Sequence, residues 1–214
     1  LLAPALTQRR FLMPLVMPEG IYCFYTGALV KALSRLIGDR TCLEIAAGDG
    51  TLSRFLADAG VNILATDDQS WSDGVRFQDS VTRMDARTAL RTHAPEVVVC
   101  SWPPPGNSFE KHVFSTPSVQ TYILIGSTGE TASGDWAGYR AQTSFTWARD
   151  ARLSRMILPD EAGSAVYLFQ RSAGGSSPRR HRCPPPGGSA RSAASDGRAD
   201  SPAPVRSPHP APRT

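Results

Sequence analysis

The chain has 214 residues, of which 41% are hydrophobic and 20% charged, a balance typical of a globular protein. Its length allows one domain with an extension, and its apolar runs are too short to span a bilayer. Four cysteines without a CxxC spacing exclude a zinc ribbon, a zinc finger and a thioredoxin-like redox site. We therefore expect neither a metal site nor a membrane segment.

Positive charge is concentrated at one end of the chain. Residues 172–214 hold seven arginines, two aspartates, nine prolines and no aromatic residue, whereas residues 1–171 carry a net charge of −1. A segment this poor in apolar side chains cannot offset its ordering entropy, so we expect a folded domain over 1–171 and a disordered tail over 172–214. Nucleic acid is not an expected partner of the domain, while a role for the arginine-rich tail stays open.

The first residues do not predict export. Arg9 and Arg10 precede an apolar stretch that is short and interrupted by Pro14 and Pro18, and no small-residue cleavage site follows. The cysteines of the domain have no pairing pattern, which fits a reducing compartment. We expect a cytoplasmic protein.

Strand-like and helix-like segments alternate along the domain. Such alternation predicts an α/β fold, with a mostly parallel sheet and helices on both faces. The predicted strands are 41–46, 61–66, 81–84, 96–101, 122–126, 144–147 and 165–170, and the predicted helices are 25–36, 51–59, 87–93 and 136–141. Only 13 residues lie between Asp67 and Val81, so a helix between the second and third strands has to be short.

The loop after the first predicted strand is suited to binding a ligand. Gly48 and Gly50 permit a tight turn and close approach of the backbone, and a helix begins near Thr51 with free N–H groups. Acids end the first three predicted strands. Glu44 can hold a cationic amino group, Asp67 can accept from both hydroxyls of a ribose, and Asp85 can accept from the amine of an adenine.

The run from Leu43 to Gly50, Leu-Glu-Ile-Ala-Ala-Gly-Asp-Gly, resembles the acid-x-Gly-x-Gly-x-Gly motif of class I S-adenosylmethionine-dependent methyltransferases. Ala46 stands where the family has its first glycine. Asp67, the run Met84-Asp85-Ala86 and the fourth-strand segment 97–105 follow in the family's order and spacing.

The resemblance implies a Rossmann-like sandwich, with a mostly parallel seven-stranded sheet whose last strand is antiparallel. It also implies S-adenosylmethionine as methyl donor. Glu44 would hold the amino group of the cofactor directly or through water, Asp67 or its neighbour Asp68 the ribose, and Asp85 with the backbone of Ala86 the adenine. The full set of cofactor-binding residues predicted in this way is Glu44, Ala46, Gly48, Gly50, Asp67, Asp68, Asp85, Ala86 and Ser101.

The segment after the fourth predicted strand borders the reactive methyl group in that family. Here it reads Cys-Ser-Trp-Pro-Pro-Pro-Gly over 100–106. Prolines fix φ and stiffen the loop, and Trp102 offers a flat face beside a sulfonium, unless it is a core residue. Trp102 and His112, which follows the loop, are the predicted residues on the substrate side. Tyr22, Phe24 and Tyr25 form either a lid or part of the core.

The predicted function is methyl transfer to an unidentified acceptor. A small molecule is favoured because the chain has no large insertion. The alternatives are a non-catalytic protein that binds the cofactor or a partner on the same fold, and aminopropyl transfer, for which the segment 101–106 lacks the acids. A nicotinamide-binding site is less well matched because Ser53 occupies the position of the third glycine of that motif.

Overall fold

The computed structural model describes residues 21–71, 74–159 and 163–172. The tail predicted over 172–214 lies outside these residues except for Ser172. In chain order the elements are β1 (Phe24–Tyr25), α1 (Gly27–Ile37), β2 (Cys42–Ile45), α2 (Thr51–Asp58), β3 (Ile63–Asp67), β4 (Val81–Arg83), α3 (Ala86–His93), β5 (Val97–Ser101), α4 (Lys111–Ser115), β6 (Thr121–Ser127), α5 (Trp136–Ala141), β7 (Phe145–Asp150), α6 (Ala151–Ser154), β8 (Ile157–Leu158) and β9 (Ser164–Arg171).

Seven strands form one sheet in the order β4-β3-β2-β5-β6-β9-β7. Neighbouring strands from β4 to β6 are parallel, and β9 is antiparallel to both β6 and β7. This confirms the predicted fold, a mostly parallel Rossmann-like sheet whose last strand is reversed. No helix within the described residues is long and apolar enough to cross a membrane.

Hydrophobic clusters cover both faces of the sheet. Val98 and Cys100 of β5 pack in the cluster beneath α3, α4 and α5, whereas Val97 and Val99 pack in the cluster beneath α1, α2 and α6. Successive side chains of a strand point to opposite faces, so an uninterrupted apolar run is what a strand covered on both sides requires.

One expectation needs correction. The first predicted helix begins at Gly27 rather than Tyr25, because the Thr26 hydroxyl accepts the Leu29 N–H at 3.1 Å and caps it there. The described part of 68–80 consists of turns and irregular chain, in agreement with the predicted elements, which include no helix there. Leu64 of β3 is 50% exposed.

The residues before α1 form a small second sheet that the sequence did not predict. Phe24 and Tyr25 of β1 pair antiparallel with Leu158 and Ile157 of β8. The Thr26 hydroxyl also donates to the carbonyl of Met156 at 2.6 Å. This pairing brings residues 21–25 to the carboxyl end of the main sheet, where the candidate site lies.

Candidate functional site

The loops that follow β2, β3, β4 and β5 surround a cavity of about 610 Å³. The cavity lies where the order of the sheet reverses, because β2 has β3 on one side and β5 on the other. Chain connections leave such a point in opposite directions and open a crevice at the carboxyl ends of the strands. The predicted glycine loop and the segment after β5 therefore meet at one cavity.

The glycine loop has three residues in the left-handed region, with φ of 49° at Ala46, 55° at Gly48 and 75° at Gly50. Ala46 and Gly48 line the cavity, and a Cβ added to Gly48 would meet no atom within 4 Å. Gly50 lies instead against the sheet, where an added Cβ would come to 2.5 Å from Val81 Cγ2. The two glycines thus serve different purposes, one open to a ligand and the other required by packing.

Asp67 ties the glycine loop to the end of β3. Its Oδ2 accepts the Gly48 N–H at 2.9 Å, and its Oδ1 accepts the Gln69 N–H at 2.7 Å. Burial raises the pKa of this carboxyl, and the two N–H donors oppose the shift. The side chain of Asp68, the alternative ribose ligand, is exposed and accepts the Ser70 N–H at 2.9 Å. Both acids line the cavity.

Asp85 and Ala86 reach the same cavity from the end of β4. Asp85 is the N-cap of α3, and its Oδ1 accepts the Thr88 N–H at 3.0 Å. Hydrogen bonding with the side chain and then with the backbone N–H of Thr88 lowers the pKa of Asp85. The carboxylate is exposed and keeps its second oxygen available for a donor from a ligand.

Glu44 is 1% exposed and is not among the residues that line the cavity. Its carboxyl accepts the hydroxyl of Ser53 in α2, and burial raises its pKa to about 8. Asp49 is the acid of the loop that does line the cavity, with Thr51 donating from its N–H at 2.9 Å and from its hydroxyl at 2.6 Å. Sequence reasoning missed Asp49, although its place between two glycines at a helix start was a usable signal.

The segment after β5 brings Ser101 and Trp102 to the other end of the cavity. The hydroxyls of Ser101 and Tyr25 are hydrogen bonded at 2.7 Å. Trp102 has a φ of 52° and stacks on Tyr22, with ring centroids 5.7 Å apart and planes 25° apart. Trp102 is half-buried and packs at the edge of a core cluster, so it contributes both to the cavity and to the fold.

His112 of α4 also lines the cavity and is half-buried. Burial lowers its pKa, and the like charges of Arg87 and Lys111 lower it further, while Asp85 acts in the opposite direction. Asp85 and Arg87 lie at the start of α3, the end of the cavity where the sequence predicts adenine, and Lys111 begins α4.

Glu110 is a completely buried carboxyl that sequence reasoning missed. It accepts the hydroxyls of Tyr122 and Tyr139, the latter at 2.5 Å, the Asn107 side-chain amide at 2.6 Å and the Asp135 N–H at 3.0 Å. Burial raises its pKa. These four donors tie the residues after the proline loop to β6 and α5. No local pattern in the sequence predicts these contacts.

No family model matches the chain, and no curated protein matches it. The chain is, however, similar to a number of solved structures. The chain is similar to magnesium protoporphyrin IX methyltransferase from Synechocystis PCC 6803 with bound SAM, at 15% identity and a TM-score of 0.43 over 68% of this chain and 79% of that one.

It is also similar to a CurJ carbon methyltransferase, at 14% identity and a TM-score of 0.47 over 75% of this chain and 61% of that one. It is similar as well to a 23S rRNA methyltransferase, ErmE, at 19% identity and a TM-score of 0.42 over 70% of this chain and 70% of that one. Identities this low concern the fold alone, and they assign neither a cofactor nor an acceptor to this chain. Among the described residues, no group of three or more His, Cys, Asp or Glu side chains could hold a metal ion.

Proposed function

We propose that this protein transfers the methyl group of S-adenosylmethionine to a small-molecule acceptor. The hydrogen bond between the Gly48 N–H and Asp67 Oδ2, 2.9 Å long, is the observation that carries the proposal. It joins the glycine loop and the acid at the end of the next strand into one site, although 19 residues separate them along the chain. A nucleoside that carries an amino-acid group needs such a site, with an acid for its ribose and a glycine loop for the rest of the molecule.

The donors and acceptors around the cavity fit this cofactor. Each oxygen of Asp67 accepts one backbone N–H and retains a lone pair for a ribose hydroxyl. Asp85 and Ala86 would contact the adenine. The backbone of Ala46 and Gly48 would contact the amino-acid part of the cofactor. Because Glu44 is buried against Ser53, we assign the amino group to Asp49, the acid of the same loop that faces the cavity.

Bound S-adenosylmethionine supplies an activated methyl group on a sulfonium. In the transfer, an electron pair of the acceptor forms the new bond to carbon, and the electrons of the broken carbon–sulfur bond stay on sulfur. The protein contributes chiefly alignment, since holding two reactants in the attack geometry removes most of the entropic cost. Trp102 and Ser101, at the other end of the cavity, would orient the acceptor. An acceptor that keeps its proton needs a base beside it. His112 lies beside Asp85 and Arg87 at the end of the cavity proposed for adenine, so we do not assign it this role.

The cavity has the volume of a small-molecule site. At about 610 Å³ the cavity falls within the roughly 300–1,000 Å³ of ordinary small-molecule sites. A cytoplasmic location is part of the proposal, and the free thiols of Cys23, Cys42 and Cys100 support it.

Calorimetric titration tests the cofactor assignment. We expect S-adenosylmethionine and S-adenosylhomocysteine to bind, and NAD not to bind. Asp67→Asn should weaken both affinities by about 10- to 150-fold, because hydrogen bonds to a charged group contribute about 1.5–3 kcal/mol. Asp68→Asn is the matched control and should change them less than threefold. Binding of NAD alone would contradict the proposal.

Turnover separates the enzyme from a non-catalytic binding protein. A screen of methyl acceptors with labelled S-adenosylmethionine should release S-adenosylhomocysteine in the presence of one of them. A site that binds the cofactor but yields no product with any acceptor class would favour the binding protein. Reaction only with decarboxylated S-adenosylmethionine and a polyamine would favour aminopropyl transfer.

A further inference from the structure

Charged side chains are confined to one part of the cavity. Those that line it belong to the loops after β2, β3 and β4 and to the start of α3, and they are Asp49, Asp67, Asp68, Asp85 and Arg87. Residues 21–25 and 101–104 line another part of it, and we call these two segments the aromatic wall. The wall contains four aromatic rings, two prolines and no Asp, Glu, Lys or Arg. An acceptor that enters next to it meets no charged side chain of the wall.

Burial keeps the protons on two groups of the wall, the Cys23 thiol and the Tyr25 hydroxyl. Burial raises the pKa of the Cys23 thiol to about 11, and it also raises the pKa of Tyr25 above its usual range. The polar side-chain atoms of the wall are hydroxyls, a thiol and the indole N–H of Trp102, which form hydrogen bonds without carrying charge.

Contacts from three sides hold the wall in place. The pairing of β1 with β8 fixes Phe24 and Tyr25, and the Tyr25 hydroxyl is bonded to Ser101 at 2.7 Å. The ring of Tyr22 stacks on Trp102. Consecutive prolines after Trp102 restrict the backbone of the second segment. A surface held in this way is already shaped before a ligand binds, which lowers the cost of ordering it.

We propose that the aromatic wall selects a flat, uncharged, largely apolar acceptor, which stacks along Trp102 and Tyr22 and directs its polar atom to the hydroxyls of Ser101 and Tyr25. The proposal rests on the function proposed above and adds the class of acceptor. Aromatic faces favour offset stacking with a planar ring. Burying a carboxylate, phosphate or ammonium there without a partner is costly, so acidic metabolites, nucleic acids and polyamines are poor candidates.

A series of probes with one ring system and three charges tests this directly. 2-Naphthol, 2-naphthoate and 2-naphthylmethylammonium are titrated at pH 7 into the protein saturated with S-adenosylhomocysteine, beside a short oligoribonucleotide. We expect 2-naphthol to bind at least tenfold more tightly than either charged analogue and more tightly than the oligoribonucleotide. Equal or tighter binding of the carboxylate or of the oligoribonucleotide would overturn the proposal. So would preference for the ammonium, which would indicate cation–π recognition by the same rings.

Variants of the wall locate the bound probe. Tyr22→Ala removes one ring of the stacked pair and should weaken the binding of 2-naphthol by about three- to tenfold. Trp102→Phe keeps a ring at its position and should weaken this binding by less. Trp71→Ala is the matched control, since Trp71 lines the cavity from the loop after β3. It should leave the affinity for 2-naphthol within twofold. A larger effect in Trp71→Ala than in Tyr22→Ala would contradict the location.

The titration with S-adenosylhomocysteine keeps the two proposals apart. If this ligand does not bind, the proposed function fails. If it binds and the charged probes are not excluded, only the class of acceptor is wrong. Retention of its affinity in Tyr22→Ala shows that the variant is folded.

Discussion

Substituting the two glycines of the loop by alanine should separate packing from ligand binding. Both residues have positive φ, and a left-handed conformation costs a residue with a Cβ about 1–2 kcal/mol. In Gly48→Ala that cost stands alone, because the new Cβ has no atom within 4 Å. In Gly50→Ala the new Cβ also lies 2.5 Å from Val81 Cγ2, and such overpacking costs about 1–3 kcal/mol more.

The free energy of unfolding should therefore fall by about 1–2 kcal/mol in Gly48→Ala and by about 2–5 kcal/mol in Gly50→Ala. Valine is stiff at χ1, so Val81 cannot easily turn its methyl group away. Urea denaturation monitored by tryptophan fluorescence measures the difference. The affinity for S-adenosylhomocysteine should fall more in Gly48→Ala than in Gly50→Ala, because the new Cβ of Gly48→Ala enters the lining of the cavity.

Truncating the neighbour provides the control. Val81→Ala removes the clashing methyl group, so the double variant Gly50→Ala with Val81→Ala should be more stable than the sum of the two single effects implies. The reasoning is refuted if Gly50→Ala is no less stable than Gly48→Ala, or if the double variant shows no such coupling.

Three further expectations concern single residues. Ala46→Gly relieves a left-handed alanine and should raise stability by up to about 1 kcal/mol in urea denaturation, since the more flexible unfolded chain offsets part of the gain. Burial raises the pKa of Glu44 from 4.5 to about 8, so the folded protein holds this proton more tightly than the unfolded chain. Stability from this group is present below about pH 4.5 and lost as the pH rises through 8, and the stability of Glu44→Gln should fall less between pH 5 and 8. Glu110→Leu leaves two hydroxyls, an amide and an N–H without their acceptor, and should lower the unfolding free energy by about 3 kcal/mol or more, with Glu110→Gln less affected.

Local patterns were sufficient for the order of the seven strands of the main sheet, for four of the helices and for the edge of the sheet at which the cavity lies. Apolar runs such as 97–101 predict buried strands, and alternation with helices predicts a parallel sheet whose loops meet at one edge. The glycine loop and Asp67 could be placed together in advance, because the carboxyl ends of neighbouring parallel strands necessarily lie close. These inferences depend on short stretches of chain and on geometry that holds for any such sheet.

The direction of each side chain depended on packing between distant residues. Glu44 and Asp49 are five residues apart in one motif, yet the pairing of Glu44 with Ser53 leaves only Asp49 facing the cavity. The Ser101–Tyr25 bond joins residues 76 positions apart, and the donors around Glu110 come from a loop, a strand and a helix. Such contacts form only when the whole chain has folded. Folding buries polar groups from distant segments side by side, and each then has to bond to whichever partner is buried next to it. Only the tertiary structure, therefore, distinguishes the glycine that faces the cavity from the one that faces Val81.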